Sequence, residues 1–179
     1  MENISKVLET GSSDEKIKIL ETLESTNNQE IIEKIIKNLD DDSIKVRGEA
    51  FSILLLNKNK ISNILINSLS STNKNIKGFT SLVLANRNEF IAIPEIRKLV
   101  NDDSSMVRSC AIGSLRHLRD KESKEIFLEL VLDSNLEVRK SALQAIIDFN
   151  IMIPEDQVKE IRKEKDNEIE KLLFKLKKK

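Results

Sequence analysis

The 179-residue sequence contains one cysteine, one histidine, four glycines, two prolines, and no tryptophan or tyrosine. A single cysteine, Cys110, has no partner for an internal disulfide and fits a reducing compartment. A single histidine, His117, removes any multi-histidine metal site and leaves one conventional general base near neutral pH. The sequence has neither a GxxxxGK[ST] nor a GxGxxG phosphate loop. Both prolines, Pro94 and Pro154, stand where a helix could begin, the position at which a missing N–H costs least. Thirty basic residues balance thirty acidic ones, so no overall field draws the chain toward nucleic acid or an anionic membrane. No apolar run approaches the roughly 20 residues that span a bilayer. Met1 to Leu8 places Glu2 and Lys6 among its apolar residues and offers no signal-peptide core. These absences lead to the expectation of a soluble, cytoplasmic protein with no membrane contact.

What is present is a 39% apolar, 34% charged composition rich in Ile and Leu, enough to offset the entropy of ordering. At this length the chain forms one domain, or a run of small repeats sharing one core. A repeat is visible. Leu39, Asp41, Ser43 and Val46-Arg47 lead into Ala50 and Ile53-Leu54. Val100, Asp102, Ser104 and Val107-Arg108 lead into Ala111 and Leu115, and Leu132, Asp133 and Val138-Arg139 lead into Ala142 and Ile146. A weaker copy runs through Leu69, Ser71, Ile76-Lys77, Thr80 and Val83-Leu84, with lysine in place of arginine and serine in place of aspartate. The basic positions Arg47, Lys77, Arg108 and Arg139 are 30, 31 and 31 residues apart. This period holds two short helices and two tight turns, the mark of a solenoid. Each unit reads as a first helix (29–39, for example), an Asp/Ser turn, and a second helix (43–56). Asp and Ser in the turn suit the free N–H groups and the positive dipole end of the second helix.

The period and the Asp-then-Val-Arg signature resemble the HEAT-like repeats, in particular the short phycobilin lyase-type variety, over roughly residues 29–149. The resemblance implies an all-α fold, a right-handed αα-superhelix whose members bind partners on a concave surface lined by second helices. It also implies a ladder in which the turn aspartate and the arginine six residues later link successive repeats. Asp41 with Arg47, Asp102 with Arg108 and Asp133 with Arg139 match that spacing. Ser71 with Lys77 does not, so the ladder is expected to weaken there. Residues 1–28 read as a degenerate first repeat or cap, with helices over 3–8 and 14–23, and residues 29–150 as the repeats. Residues 151–179 read as a charged terminal helix carrying the stripe Val158, Ile161, Ile169, Leu172, Leu173 and Leu176. This helix either caps the core or projects as a coiled-coil arm that could pair two chains. Lys165 interrupts the seam and favours the cap and a monomer.

No catalytic constellation emerges, so the chain reads as a non-enzyme with no cofactor. HEAT-like enzymes that hold two irons use His-Glu pairs, and no His-Glu pair occurs here. Bilin attachment is likewise not inferred, because nothing marks a chromophore pocket. Cys110, beside an arginine-bearing turn, reads as a small core hydrophobe rather than a nucleophile, and His117 as a residue meeting free carbonyls at a helix C-terminus.

Superposing the repeats aligns Lys45, Asn75, Met106 and Glu137, then Glu49, Phe79, Cys110 and Ser141. One turn further come Ser52, Leu82, Gly113 and Gln144, followed by Leu56, Asn86, His117 and Asp148. The middle of this surface is the most apolar, so Phe79, Leu82, Met106, Cys110 and His117 form the expected binding row for an unidentified protein or peptide. Phe79 and Leu82 are equally placed to pack against a neighbouring repeat. The competing reading is nucleic-acid binding through Lys58, Lys60, Lys74, Lys77, Arg87, Arg97 and Lys98 with the tail Lys175, Lys177, Lys178 and Lys179. Scarce aromatics and interleaved acids argue against it.

Overall fold

The computed structural model describes residues 2–163 and 165–177, the side chains of residues 2 and 177 excepted; the tail positions Lys178 and Lys179 lie outside the described residues. Twelve α-helices and no strand occur among the described residues. They pair into six hairpins: α1 (Glu2–Thr10) with α2 (Ser13–Leu20), α3 (Gln29–Lys37) with α4 (Ile44–Leu56), α5 (Ser62–Ser68) with α6 (Lys74–Asn86), α7 (Ile93–Lys98) with α8 (Ser105–His117), α9 (Lys124–Leu130) with α10 (Leu136–Phe149), and α11 (Glu155–Ile161) with α12 (Asn167–Lys177). The second helices stack in chain order from α2 to α12, while α1, α3 and α5 stack in the other layer. This is an αα-superhelix.

Local chemistry sets the helix ends. Ser12 and Glu15 close a capping box at α2, and the Asn73 and Asn135 side chains each accept two free N–H groups, at the starts of α6 and α10. Beyond α6, α8 and α10 the chain turns through Asn88, Arg119 and Asn150, all left-handed at φ 55–56°. The turn after α4 has no such residue, and the spacing of 30 rather than 31 residues is its loss. Asn tolerates this conformation, but arginine in it is strained by about 1 kcal/mol. Arg119→Gly should therefore raise the melting midpoint by roughly 2 °C, read by far-UV circular dichroism.

Small residues at one repeat position let the two layers close: Ala50, Thr80, Ala111 and Ala142 are all fully buried. Large aliphatics fill the rest of the core, including Ile32, Ile35, Leu54, Leu84 and Ile112. At the N-terminus α2 stops at Leu20, short of the expected residue 23, and Leu23 is buried through a turn. At the C-terminus two helices stand where one was expected. The first ends at Ile161, and Asp166 Oδ1 accepts the N–H groups of Glu168 and Ile169 to start α12 at Asn167. Ile169, Leu172 and Leu173 are buried and α12 lies along α10, so the apolar stripe faces the solenoid instead of projecting from it.

Candidate functional site

The turn residues form ion pairs from one hairpin to the next. Lys16 Nζ reaches Asp41 Oδ2 at 2.6 Å, Lys77 reaches Asp102, and Arg108 grips Asp133 with Nε and Nη2 at 2.8 and 2.7 Å. Each of these aspartates turns its other capacity inward: Asp41, Asp102 and Asp133 accept the N–H two residues on, from Ser43, Ser104 and Asn135. Within a repeat the arginine does not meet the aspartate's carboxylate. Arg47, Arg108 and Arg139 donate Nη1 to the backbone carbonyls of Asp41, Asp102 and Asp133. The ladder thus runs from each cation to the next repeat's acid. Lysine at 77 completes a rung with a single contact, and the gap falls at Ser71, the position that would answer Arg47. Lys16, 31 residues before Arg47, belongs to the same series; its degenerate surroundings hid it from sequence reasoning.

Burial alone would raise these carboxyls. For Asp133, Arg108, the Asn135 N–H and Arg139 outweigh burial and hold the group below the ordinary carboxylate range. Lys16 and the Ser43 N–H do so for Asp41, and Lys77 and the Ser104 N–H for Asp102. Asp120 is held down likewise, against burial, by Arg97 and Ser123. All four are depressed, so their stabilisation is present above the unfolded value of about 3.9 and is lost as pH falls through the folded values. Circular dichroism should show the midpoint flat from pH 8 to 5 and falling steeply below about pH 4.

The binding row expected from the sequence divides. Phe79 is half-buried against the core. Met106 and Cys110 lie over Gly78, where a Cβ would stand 2.7 Å from Met106 Sδ and 3.3 Å from Cys110 Sγ, so both side chains occupy the α6–α8 seam. Leu82 approaches Gly113, its Cδ2 3.9 Å from where a Cβ would stand, and His117 is exposed. Burial pushes the Cys110 thiol up to about 11, which leaves little thiolate at neutral pH. A shallow depression of about 250 Å³ lies further along the second helices, lined by Gly113, Arg116, Glu137, Lys140, Ser141, Gln144, Glu168 and Leu172. Lys140 there meets Glu168 at 2.6 Å and Glu137 at 3.2 Å, and Arg116 meets Asp148 at 3.4 Å.

Of the cations that could face nucleic acid, Lys77 pairs with Asp102, Arg97 with Asp120 and Glu122, and Lys98 with Glu95. Arg87 donates to the carbonyls of Leu54, Asn57 and Asn59. Lys58, Lys60, Lys74 and Lys175 are exposed. Among the described residues, no group of three His, Cys, Asp or Glu side chains could hold a metal ion, and no helix is long and apolar enough to cross a membrane.

Comparison with known proteins agrees with this architecture. Residues 62–147 match the family of HEAT repeats. Over that segment the chain is built of HEAT-like repeats. Among solved structures it is similar to a designed armadillo repeat protein in complex with the peptide (KR)4, at TM-score 0.59 and 17% identity, covering 98% of this chain and 97% of that one. It is similar to computationally designed armadillo repeat proteins for modular peptide recognition, at TM-score 0.59, 16% identity and 98% coverage of each chain. An engineered protein matches at TM-score 0.57, 16% identity, and coverage of 98% and 95%. These likenesses establish the fold. No curated protein matches in sequence.

Proposed function

We propose that this HEAT-like chain is a non-catalytic, cytoplasmic scaffold that binds a segment of a protein partner along its second helices, the concave side of the superhelix. The observation that carries this reading is the depression across α8, α10 and α12. It is floored by Gly113 and Leu172, and it presents Ser141 and Gln144 between charges already paired with one another. Paired charges leave no net field, so recognition rests on hydrogen bonds and shape, with Leu82 at its edge for apolar contact. A designed protein of the same fold holding a peptide is consistent with such use. Internally paired cations make the nucleic-acid reading the weaker one. The terminal hairpin, laid on α10, is proposed as a cap on a monomer.

The test is affinity purification of the tagged protein from its native cytoplasm, with and without nuclease and at two salt concentrations, alongside a Ser141→Arg variant that fills the depression. A stoichiometric protein that survives nuclease and moderate salt, and is lost from the variant while its helical signal is unchanged, supports the scaffold. Recovery of nucleic acid, with affinity falling steeply with salt, or a partner retained equally by the variant, overturns it.

A further inference from the structure

We infer that the solenoid is jointed between its second and third hairpins, and that the joint opens along the edge where Arg47 faces Ser71. Four observations on different residues locate it there. First, the acid that each preceding cation needs is missing only at this junction among those from the first hairpin to the fifth. Ser71 keeps the capping bond to the Asn73 N–H at 3.1 Å, as Asp41, Asp102 and Asp133 do for their turns, but supplies no charge. Arg47 makes the same backbone bonds as Arg108, to the carbonyls of Asp41 and Asp42 at 2.6 and 3.1 Å. Its guanidinium is therefore set as Arg108's is, without the carboxylate that Arg108 finds in Asp133.

Second, Gly48 and Gly78 occupy one repeat position, 30 residues apart, in opposite circumstances. A Cβ on Gly78 would strike α8, whereas a Cβ on Gly48 would meet nothing within 4 Å. The glycine that draws α6 against α8 has a counterpart on α4 facing open space. Third, α4 and α6, each of 13 residues, pack less extensively than any other consecutive pair of second helices, so that the junction is held by residues 38–40 against α6 and by α3 against α5 and α6. The bonds that replace the missing rung run from the Asn73 and Asn75 side chains to Asp40 and lie in solvent, where they contribute little. Fourth, the opposite edge is tied. The Arg87 guanidinium donates to the Leu54, Asn57 and Asn59 carbonyls of the turn after α4.

One edge held and the other lacking its ion pair makes a hinge. Rotation of hairpins one and two about the Arg87 edge changes the curvature of the second-helix layer and uncovers α4 and α6, so α4 opens locally at lower cost than a helix held on both sides, as expected of quasi-one-dimensional stacks whose interfaces differ in strength.

Hydrogen exchange with mass spectrometry tests this on the full chain. Amides of α4 should exchange at least ten-fold faster than those of α8, a helix of equal length. Ser71→Asp should slow exchange in α4 and α6 by roughly five-fold and raise the melting midpoint by ~2–4 °C. In an Arg47→Gln background the same substitution should give less than half of either gain, since only its cap and helix-dipole share remains. Equal protection of α4 and α8 in the parent protein would overturn the joint. So would a Ser71→Asp gain that is absent, or undiminished without Arg47.

Discussion

Phe127→Ala lowers the stability of this protein by about 3–5 kcal/mol, a drop of roughly 10 °C or more in melting midpoint for a chain of this size. Phe127 is fully buried and among the largest side chains in the core. It stands on α9, the first helix of the fifth hairpin, and its ring meets that of Phe149 at the end of α10, with centroids 5.5 Å apart and planes at 46°. Truncation removes the transfer energy of the ring, the aromatic contact, and the wedge that holds α9 against α10. Short helices around it limit collapse into the cavity, which places the loss toward the upper end of the range. Because each hairpin leans only on its neighbours, hydrogen exchange should show the fifth and sixth hairpins loosening before the first three. Phe174 on α12, 58% exposed, is the internal control: Phe174→Ala should change stability by less than about 0.5 kcal/mol. Equal effects at the two positions would mean that Phe127 is not the wedge described.

The repeat was legible because the constraints that make a solenoid act at fixed positions. A small residue where two helices cross (Ala50, Thr80, Ala111, Ala142) and an acid or serine at each turn recur in one dimension as they do in three. The ladder and its weak point at Ser71 were legible, but not its detailed pairing. A ladder linking successive repeats was expected and is what forms; which acid each cation reaches was not legible, because side-chain reach from the start of a second helix carries Arg108 to Asp133 of the following turn, while its own Asp102 offers only a carbonyl. The terminal hairpin was read as one helix because a charged run such as 162–166 is compatible with helix until Asp166 is seen capping a new one. The binding row shows the same limit. Phe79, Met106 and Cys110 share a face with Leu82 in projection, but one glycine, Gly78, draws α8 so close that Met106 and Cys110 become seam residues. Glycine as a site of close approach has no sequence mark that separates Gly78 from Gly48, whose surroundings are open. The depression over α8, α10 and α12 escaped notice for a related reason: it takes residues from three repeats, and Glu168 and Leu172 come from the terminal hairpin that the repeat pattern did not cover.

Asp133→Ala should destabilise by about 2–4 kcal/mol, the largest effect of any single ladder substitution. The side chain has 7% exposure, against 14% for Arg108. It accepts two guanidinium bonds and the Asn135 N–H together. Its removal leaves a largely desolvated guanidinium without a counter-charge and loosens the turn that sets the cap residue Asn135 at the start of α10, whereas an acid in solvent leaves its partner to water. Glu95, paired with Lys98 at the surface, therefore serves as the comparison, and Glu95→Ala should change stability by less than about 0.5 kcal/mol. Asp133→Asn separates the two contributions: the amide oxygen keeps the bond from the Asn135 N–H and one from Arg108 but carries no charge, so its loss should be about half that of alanine. Replacing both partners, as Arg108→Met with Asp133→Leu, should restore much of what Asp133→Ala loses, since the penalty belongs to the stranded charge more than to the absent attraction. Thermal and denaturant unfolding of these variants at pH 7 decide the matter. A double variant as unstable as Asp133→Ala would show that the rung holds the repeats by attraction, and a loss from Asp133→Ala no greater than from Glu95→Ala would remove the ladder from the account of stability altogether.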